Sequence, residues 1–148
     1  MRPTRRPTGR SPLSASVELI CVDPARVHEV WPHAAGLIDR AVRRTGLNHT
    51  RDIADDVLSG AGLLWLAWNG AAIEAAATTA LIETDTDKVC ILTACGGHGR
   101  DRWLPLLARI EAYAKDEGCA CVRIYGRRGW QRLLDGYSLK HVILERAL

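Results

Sequence analysis

The chain has 148 residues, 47% of them hydrophobic, which is enough for one domain with its own core. No apolar run approaches the roughly 20 residues of a membrane-spanning helix, and no apolar segment follows the basic N-terminus as in a secretory signal. The net charge of +3 includes four arginines within residues 1–14, and without them the remainder carries −1, so we do not expect the folded body to bind nucleic acid.

The N-terminal segment is rich in proline and arginine and contains no acidic residue. This composition predicts a flexible basic tail over residues 1–14, followed by one folded domain over residues 15–148. Arginine-rich segments also contact phosphate or acidic proteins, so a protein assembly partner bound through the tail remains open as an alternative. The five cysteines, without a secretory signal, indicate reduced thiols and a cytoplasmic location.

A strand and two helices are predicted in the first sixty residues. Polar and apolar residues alternate over 17–22, as in a strand. Residues 24–45 carry apolar positions spaced by three and four, which predicts a helix that Pro32 breaks or kinks. Thr50 is the predicted N-cap of a second helix, which ends at Ser59-Gly60.

Three antiparallel strands are predicted next. Two apolar runs, over 62–68 and 71–83, flank Asn69-Gly70. Both residues of this pair accept a positive φ, so the pattern predicts a tight hairpin. The polar turn over 84–87 leads to a third strand over 88–94.

The remaining residues predict a helix between two parallel strands. An amphipathic helix begins near Trp103 and ends at Gly118, and it is followed by a strand over 119–125. A short helix over 129–134 and a final strand over 139–144 complete the order βααβββαβαβ. The fold class is therefore mixed α+β: a mostly antiparallel sheet with flanking helices, in which a right-handed crossover makes strands 4 and 5 parallel.

This order of elements, together with "AKDEGCACVRIYG" at residues 114–126, resembles the GNAT superfamily of N-acetyltransferases. The resemblance implies that acetyl-CoA lies in a notch between strands 4 and 5. It also implies that the loop before the third helix gives backbone N–H groups to the pyrophosphate. Here that loop belongs to "ACGGHGRDRWL", residues 94–104.

Two registers align this loop with the family pattern of one long polar residue and two glycines. The first retains Gly97 and Gly99 and places Ala94 at the polar position. The second counts without gaps from the helix end, which places His98 at the polar position and puts Asp101 and Trp103 where the glycines belong. The second keeps the helix length normal and is favoured. Across both, the residues expected to contact the cofactor are Ala94, Cys95, Gly96, Gly97, His98, Gly99, Arg100 and Arg102.

The family's catalytic tyrosine has no counterpart, because counting back from Gly136-Tyr137 reaches Arg132. Tyr125 and Tyr137 are the phenols that can replace it. The candidates for general base are Glu74, Glu83 and His98. From these sets the predicted catalytic residues are Glu83, His98 and Tyr137.

The resemblance implies an acyl-CoA-dependent N-acyltransferase acting on an unidentified amine, either active or catalytically degenerate. The alternative is a non-catalytic binding or assembly protein of a phage or phage-like particle, located in the virion. Residues 126–130, "GRRGW", resemble a "GR-x-GW" segment of small GNAT-like proteins of tailed phages. Asp101, Trp103 and the basic tail also favour this alternative. We expect Cys90, Cys95, Cys119 and Cys121 to be small buried residues, with no metal site.

Overall fold

The computed structural model describes residues 16–148, so the predicted tail lies outside the described residues. The named elements follow the chain as β1 (Glu18–Cys21), α1 (Val27–Thr45), α2 (Thr50–Ser59), β2 (Gly62–Trp68), β3 (Ile73–Glu83), β4 (Lys88–Gly97), α3 (Arg100–Trp103), α4 (Leu107–Asp116) and β5 (Cys121–Ile124). Single 3-10 turns at Pro24–Arg26, Leu104–Leu106 and Arg128–Arg132 connect them.

The five strands form one sheet in the order β1-β2-β3-β4-β5. The first four are antiparallel neighbours, whereas β4 and β5 run parallel, from Val89 opposite Cys121 to Leu92 opposite Ile124. The mixed sheet with flanking helices confirms the predicted fold class.

Apolar side chains are buried on both faces of the sheet. Residues of α1 and α2 such as Ile38 and Val57 pack with Leu64 of β2 on one face. On the other face, Ile110 of α4 packs with Trp65 of β2 and with β4. Each apolar face of the sheet has to be covered by elements that carry an apolar stripe of their own. Amphipathic helices therefore lie on both sides of the sheet.

Two helix predictions in the first half need correction, one at Pro32 within α1 and one at the start of α2. α1 continues through Pro32, so the predicted break does not occur. His49, rather than Thr50, is the N-cap of α2, because its Nδ1 accepts a hydrogen bond from the Arg51 N–H at 3.3 Å. The Thr50 hydroxyl instead donates to Oδ1 of Asp39 at 2.8 Å and joins the two helices.

The turn between β2 and β3 is longer than the predicted two-residue turn. The strands pair up to Trp68 opposite Ile73, which leaves four residues in the loop. Asn69 Oδ1 accepts the N–H groups of Ala71 and Ala72 at 2.9 and 2.8 Å, while Gly70 alone has a positive φ, of 93°. An Asx-type turn therefore replaces the tight hairpin.

The C-terminal half departs further from the prediction. β4 continues to Gly97, and the predicted long helix is split by the 3-10 turn Leu104–Leu106, which contains Pro105. The predicted short helix is the 3-10 turn Arg128–Arg132, and the predicted strand over 139–144 is absent from the sheet. No helix within residues 16–148 combines the length and apolarity needed to cross a membrane.

Candidate functional site

A cleft opens where β4 and β5 stop pairing. Their parallel ladder ends at Leu92 opposite Ile124. Directly after this point β4 contains a bulge, because Thr79 lies opposite Leu92 and Thr78 opposite Ala94, so that Thr93 is an extra residue. A bulge bends its strand and increases the local twist, which turns β4 away from β5. Among residues 16–148, no hydrogen bond links 93–97 of β4 to 125–127.

Hydrogen bonds hold the bulge in place. The Thr93 hydroxyl donates to the carbonyl of Thr78 at 3.1 Å, and the two hydroxyl oxygens lie 2.6 Å apart. The side-chain amide of Asn48, in the loop between α1 and α2, donates to the Thr93 carbonyl at 3.1 Å. Three bonds from two elements fix the extra residue, so the splayed shape is built into the fold.

The cleft has about 460 Å³ of space not filled by atoms, part of it open to solvent. The end of α1, the splayed strands and the turn after β5 line it: Ala41, Arg44, Thr45, Leu92, Thr93, Ala94, Cys95, Ile124, Tyr125, Gly126, Arg127 and Trp130. Arg44 and Arg127 contribute two positive charges, and no carboxylate of the described range lines the space. The cleft is therefore suited to an anion.

An apolar cavity adjoins the cleft on the face that α3 and α4 cover. Leu92, Cys95 and Trp130 line both spaces, so the Trp130 indole lies between them. It packs closely on Gly126, where an added Cβ would lie 2.9 Å from its Cδ1 atom. Burial raises the pKa of the Cys95 thiol to about 12, so this thiol stays neutral and behaves as an apolar wall.

The glycines that begin the predicted phosphate loop serve close packing. Gly96 and Gly97 lie in β4, not in a loop. A Cβ on Gly96 would lie 2.9 Å from the carbonyl oxygen of Leu37 in α1. A Cβ on Gly97 would lie 2.5 Å from the Cα of Ala75. Gly99 differs, because its φ of 61° lies in the left-handed region and it begins α3.

Charged residues of the loop are also committed to the fold. Arg102 Nε lies 2.9 Å from Oε2 of Glu74, and Asn69 donates to the other oxygen of that carboxylate at 3.2 Å. These bonds, that of Arg102 first, lower the pKa of the Glu74 carboxyl. Glu74 is thereby a weaker base than an unpaired carboxylate.

Trp103 is buried in the core below α3. It is therefore not directed at a phosphate space, contrary to what the ungapped register implies.

The predicted cofactor contacts separate into two groups. Ala94 and Cys95 line the cleft. His98, Gly99 and Arg100 are exposed beyond the end of β4.

The structure does not bring Glu83, His98 and Tyr137 to one site. Glu83 pairs with Lys88 at the start of β4, at the opposite end of that strand from His98. The Tyr137 hydroxyl donates to Oε1 of Glu111 on α4 at 3.2 Å, and Tyr137 does not line the cleft. Burial and then the Glu111 carboxylate raise the pKa of this phenol above its ordinary value. Tyr125 is the tyrosine that lines the cleft within residues 16–148.

Sequence reasoning did not identify Arg44 and Thr93 as parts of the site. Arg44 follows Arg43 on the polar side of a helix, which is typical of solvated residues. Thr93 interrupts an apolar run, and this was the available signal for a bulge.

The cysteine prediction is correct for Cys90, which is buried, and wrong for Cys121, which is exposed, while Cys95 and Cys119 are half-buried.

Comparisons with known proteins agree on the fold. No family model and no curated protein matches the chain. Solved structures do match, among them a predicted acetyltransferase from Clostridium acetobutylicum with acetyl-CoA (16% identity, TM-score 0.61, covering 88% of this chain and 96% of that one). A GNAT family acetyltransferase from Staphylococcus aureus has 14% identity and a TM-score of 0.61 over 90% of this chain and 99% of its own.

An aminoglycoside acetyltransferase from an uncultured soil sample, in complex with sisomicin, has 7% identity and a TM-score of 0.67, covering 89% of this chain and 95% of its own. At these identities the comparisons establish the fold, which is that of the GNAT acetyltransferases.

Proposed function

We propose that the cleft between β4 and β5 binds an acyl-CoA and that the protein transfers its acyl group to an amine. The observation that carries this proposal is the bulge at Thr93, beyond which the β4 backbone at Ala94 and Cys95 pairs with β3 but has no partner on the β5 side, beside two arginines. A bound acyl-CoA would supply an activated thioester carbonyl. The cleft fits such a ligand, because it offers backbone donors and acceptors to amides and guanidinium groups to phosphates.

The residues of the cleft divide the work by their chemistry. The β4 backbone holds the extended part of the ligand, and a β4 N–H polarises the carbonyl. Arg44 and Arg127 pair with phosphate oxygens. A neutral amine attacks the carbonyl carbon, the C–S bond breaks, and the Tyr125 hydroxyl donates a proton to the departing sulfur. The attacking nitrogen gives its proton to water, since no carboxylate lines the cleft within residues 16–148.

The exposed loop after β4 belongs to the same proposal. His98, Gly99 and Arg100 follow the strand that forms one wall of the cleft. They are therefore proposed as contacts for the outer phosphates, whereas Gly96 and Gly97 contribute through the close packing of β4 on α1 and β3. Arg102 contributes through its bond to Glu74, which fixes α3 against β3.

Calorimetric titration of acetyl-CoA tests binding. We expect a dissociation constant below about 1 mM, that is, a binding free energy beyond about −4 kcal/mol. Arg127→Ala should weaken binding by about tenfold, because one charge-assisted contact is worth roughly 1.5 kcal/mol. Arg128→Ala is the matched control, since this neighbour does not line the cleft, and its affinity should be unchanged. The absence of binding at millimolar ligand would remove the proposal.

Transfer is tested by following thiol release from acetyl-CoA in the presence of a panel of primary amines. Tyr125→Phe should lower kcat by at least about 10²-fold, the usual contribution of a general acid. Tyr137→Phe, which removes the hydroxyl on α4, should leave kcat unchanged. Equal effects of the two substitutions would contradict the assignment of the proton donor.

A non-catalytic binding role is the second candidate. It is favoured by the lack of any carboxylate among the described residues that line the cleft. In this role the protein would bind acyl-CoA or a partner without turnover, as in an assembly protein of a phage-like particle. Saturable acetyl-CoA binding with no thiol release for any amine would support it over the enzyme.

A further inference from the structure

Residues 138–148, here called the C-terminal arm, form neither helix nor strand. Every residue of the arm is exposed, including apolar side chains that a folded domain normally buries. The exposed fractions are 52% for Leu139, 73% for Val142, 60% for Ile143 and 90% for Leu144. Within the described part of the chain, no hydrogen bond joins the arm to another residue. Its apolar residues are those of a strand, yet it pairs with no strand of the sheet.

One edge of the sheet is open and complements the arm. β5 is the last strand in the sheet, so its outer N–H and C=O groups have no strand partner among residues 16–148. The opposite edge is different, because Arg109 Nη1 donates to the carbonyl of Leu19 in β1 at 2.8 Å and partly covers that strand. An uncovered edge with free backbone groups is a template for a further strand.

We propose that the arm of one copy adds to the outer edge of β5 in a second copy, reciprocally, in a two-fold dimer. Each copy carries one unpaired arm and one open edge at β5, so a reciprocal exchange between two copies satisfies both in a closed pair. The arm begins after Tyr137, which is tied to α4 and to the carbonyl of Leu134. Beyond this anchor every residue of the arm is exposed.

The consecutive apolar residues of the arm support this placement. Val142, Ile143 and Leu144 direct side chains to both faces of a strand, as in a strand covered on both sides. At the β5 edge the apolar positions Val122 and Ile124 are only half-buried, so the added strand would extend the apolar surface of the sheet on both partners.

The oligomeric state tests the proposal first. Light scattering after size exclusion should show a dimer for the full chain at about 100 µM, a concentration at which micromolar complexes remain associated. Ile143→Pro removes a backbone donor in the arm and should give a monomer with unchanged circular dichroism. Ser138→Pro, at the start of the arm, is the matched control and should remain dimeric. A monomeric full chain would overturn the proposal.

Cross-linking distinguishes exchange of the arm from any other dimer. One chain carries Ile143→Cys with Cys121→Ser, and the other retains Cys121, an exposed thiol of β5. Both carry Cys21→Ser, which removes the other exposed thiol. After mixing and mild oxidation, a covalent heterodimer should form with Ile143→Cys, or with Val142→Cys or Leu144→Cys in its place. Which of the three forms the cross-link depends on the register of the arm against β5. A dimer that none of the three cross-links would have a different interface and would overturn the proposal.

Discussion

Gly97→Ala tests whether the glycines of the predicted phosphate loop serve packing or ligand binding. The new Cβ would lie 2.5 Å from the Cα of Ala75, and closer to the Ala75 Cβ and the carbonyl oxygen of Glu74. Ordinary contacts of a Cβ are 3.4–4 Å, so β3 and β4 would have to separate by about 1 Å. The obstructing atoms belong to a strand and not to the end of a flexible side chain, so the structure cannot yield easily.

Overpacking of this kind costs about 1–3 kcal/mol, and we expect the upper part of that range. The lower backbone entropy of unfolded alanine returns about 0.4–1 kcal/mol, so the expected net loss of unfolding free energy is about 2 kcal/mol. Urea unfolding followed by circular dichroism measures this loss. Gly36→Ala is the matched control, because a Cβ there meets nothing within 4 Å in the interior of α1, and it should stabilise by about 0.5–1 kcal/mol.

Stability and ligand binding of Gly97→Ala together distinguish the two roles. If Gly97→Ala unfolds at the same urea concentration as the unsubstituted protein but no longer binds acetyl-CoA, the glycine serves the ligand. If it loses stability and the folded fraction still binds, the glycine serves the contact between β3 and β4.

Thr79→Val should lower the unfolding free energy by about 1–3 kcal/mol in urea titrations. The substitution removes the hydroxyl that accepts the buried hydrogen bond of 2.9 Å from Trp65 Nε1. An unchanged unfolding midpoint would mean that the indole finds another acceptor. The pKa of Glu74 is lower in the folded protein than in the unfolded chain, where it is about 4.3. The bond to Arg102 therefore stabilises the protein fully above the unfolded pKa, and this stabilisation is lost as the pH falls through the folded pKa. Glu74→Gln should therefore be less stable than the unsubstituted protein at pH 7, with a difference that shrinks on acidification, and a pH-independent difference would count against the ion pair. Burial raises the pKa of Cys95 to about 12, so iodoacetamide at pH 8 should alkylate this thiol only after unfolding. Mass spectrometry measures the labelling. Rapid labelling of the native protein would show that the wall of the cleft opens.

Local patterns predicted most of the sheet. Alternation and turn residues gave β1 to β4 in the correct order, and the spacing of apolar residues in α1 is that of a helix packed on one face. Such patterns depend on residues close in sequence, so they do not predict features that are determined by contacts between distant parts of the chain. Gly96 and Gly97 indicated a loop, yet they extend β4 because α1 and β3 approach too closely for side chains.

The candidate site depended on contacts that no local pattern reports. The bulge at Thr93 is held by Thr78 and Asn48, which are 15 and 45 residues away. The sequence does not distinguish Tyr125 from Tyr137 as replacements for the missing tyrosine, and the hydroxyl of the predicted Tyr137 contacts Glu111 on α4. The predicted strand over 139–144 has the residues of a strand, but a strand needs a neighbour, and the chain described here gives it none.

The central claim is that acyl-CoA occupies the cleft between β4 and β5. The most direct measurement is a set of amide NMR spectra recorded while acetyl-CoA is added to the isotope-labelled protein. The account predicts saturable shifts at the amides of Ala94, Cys95 and Tyr125, with no change at Leu19 on the far edge of the sheet. Shifts confined to other surfaces, or none at millimolar acetyl-CoA, would contradict it.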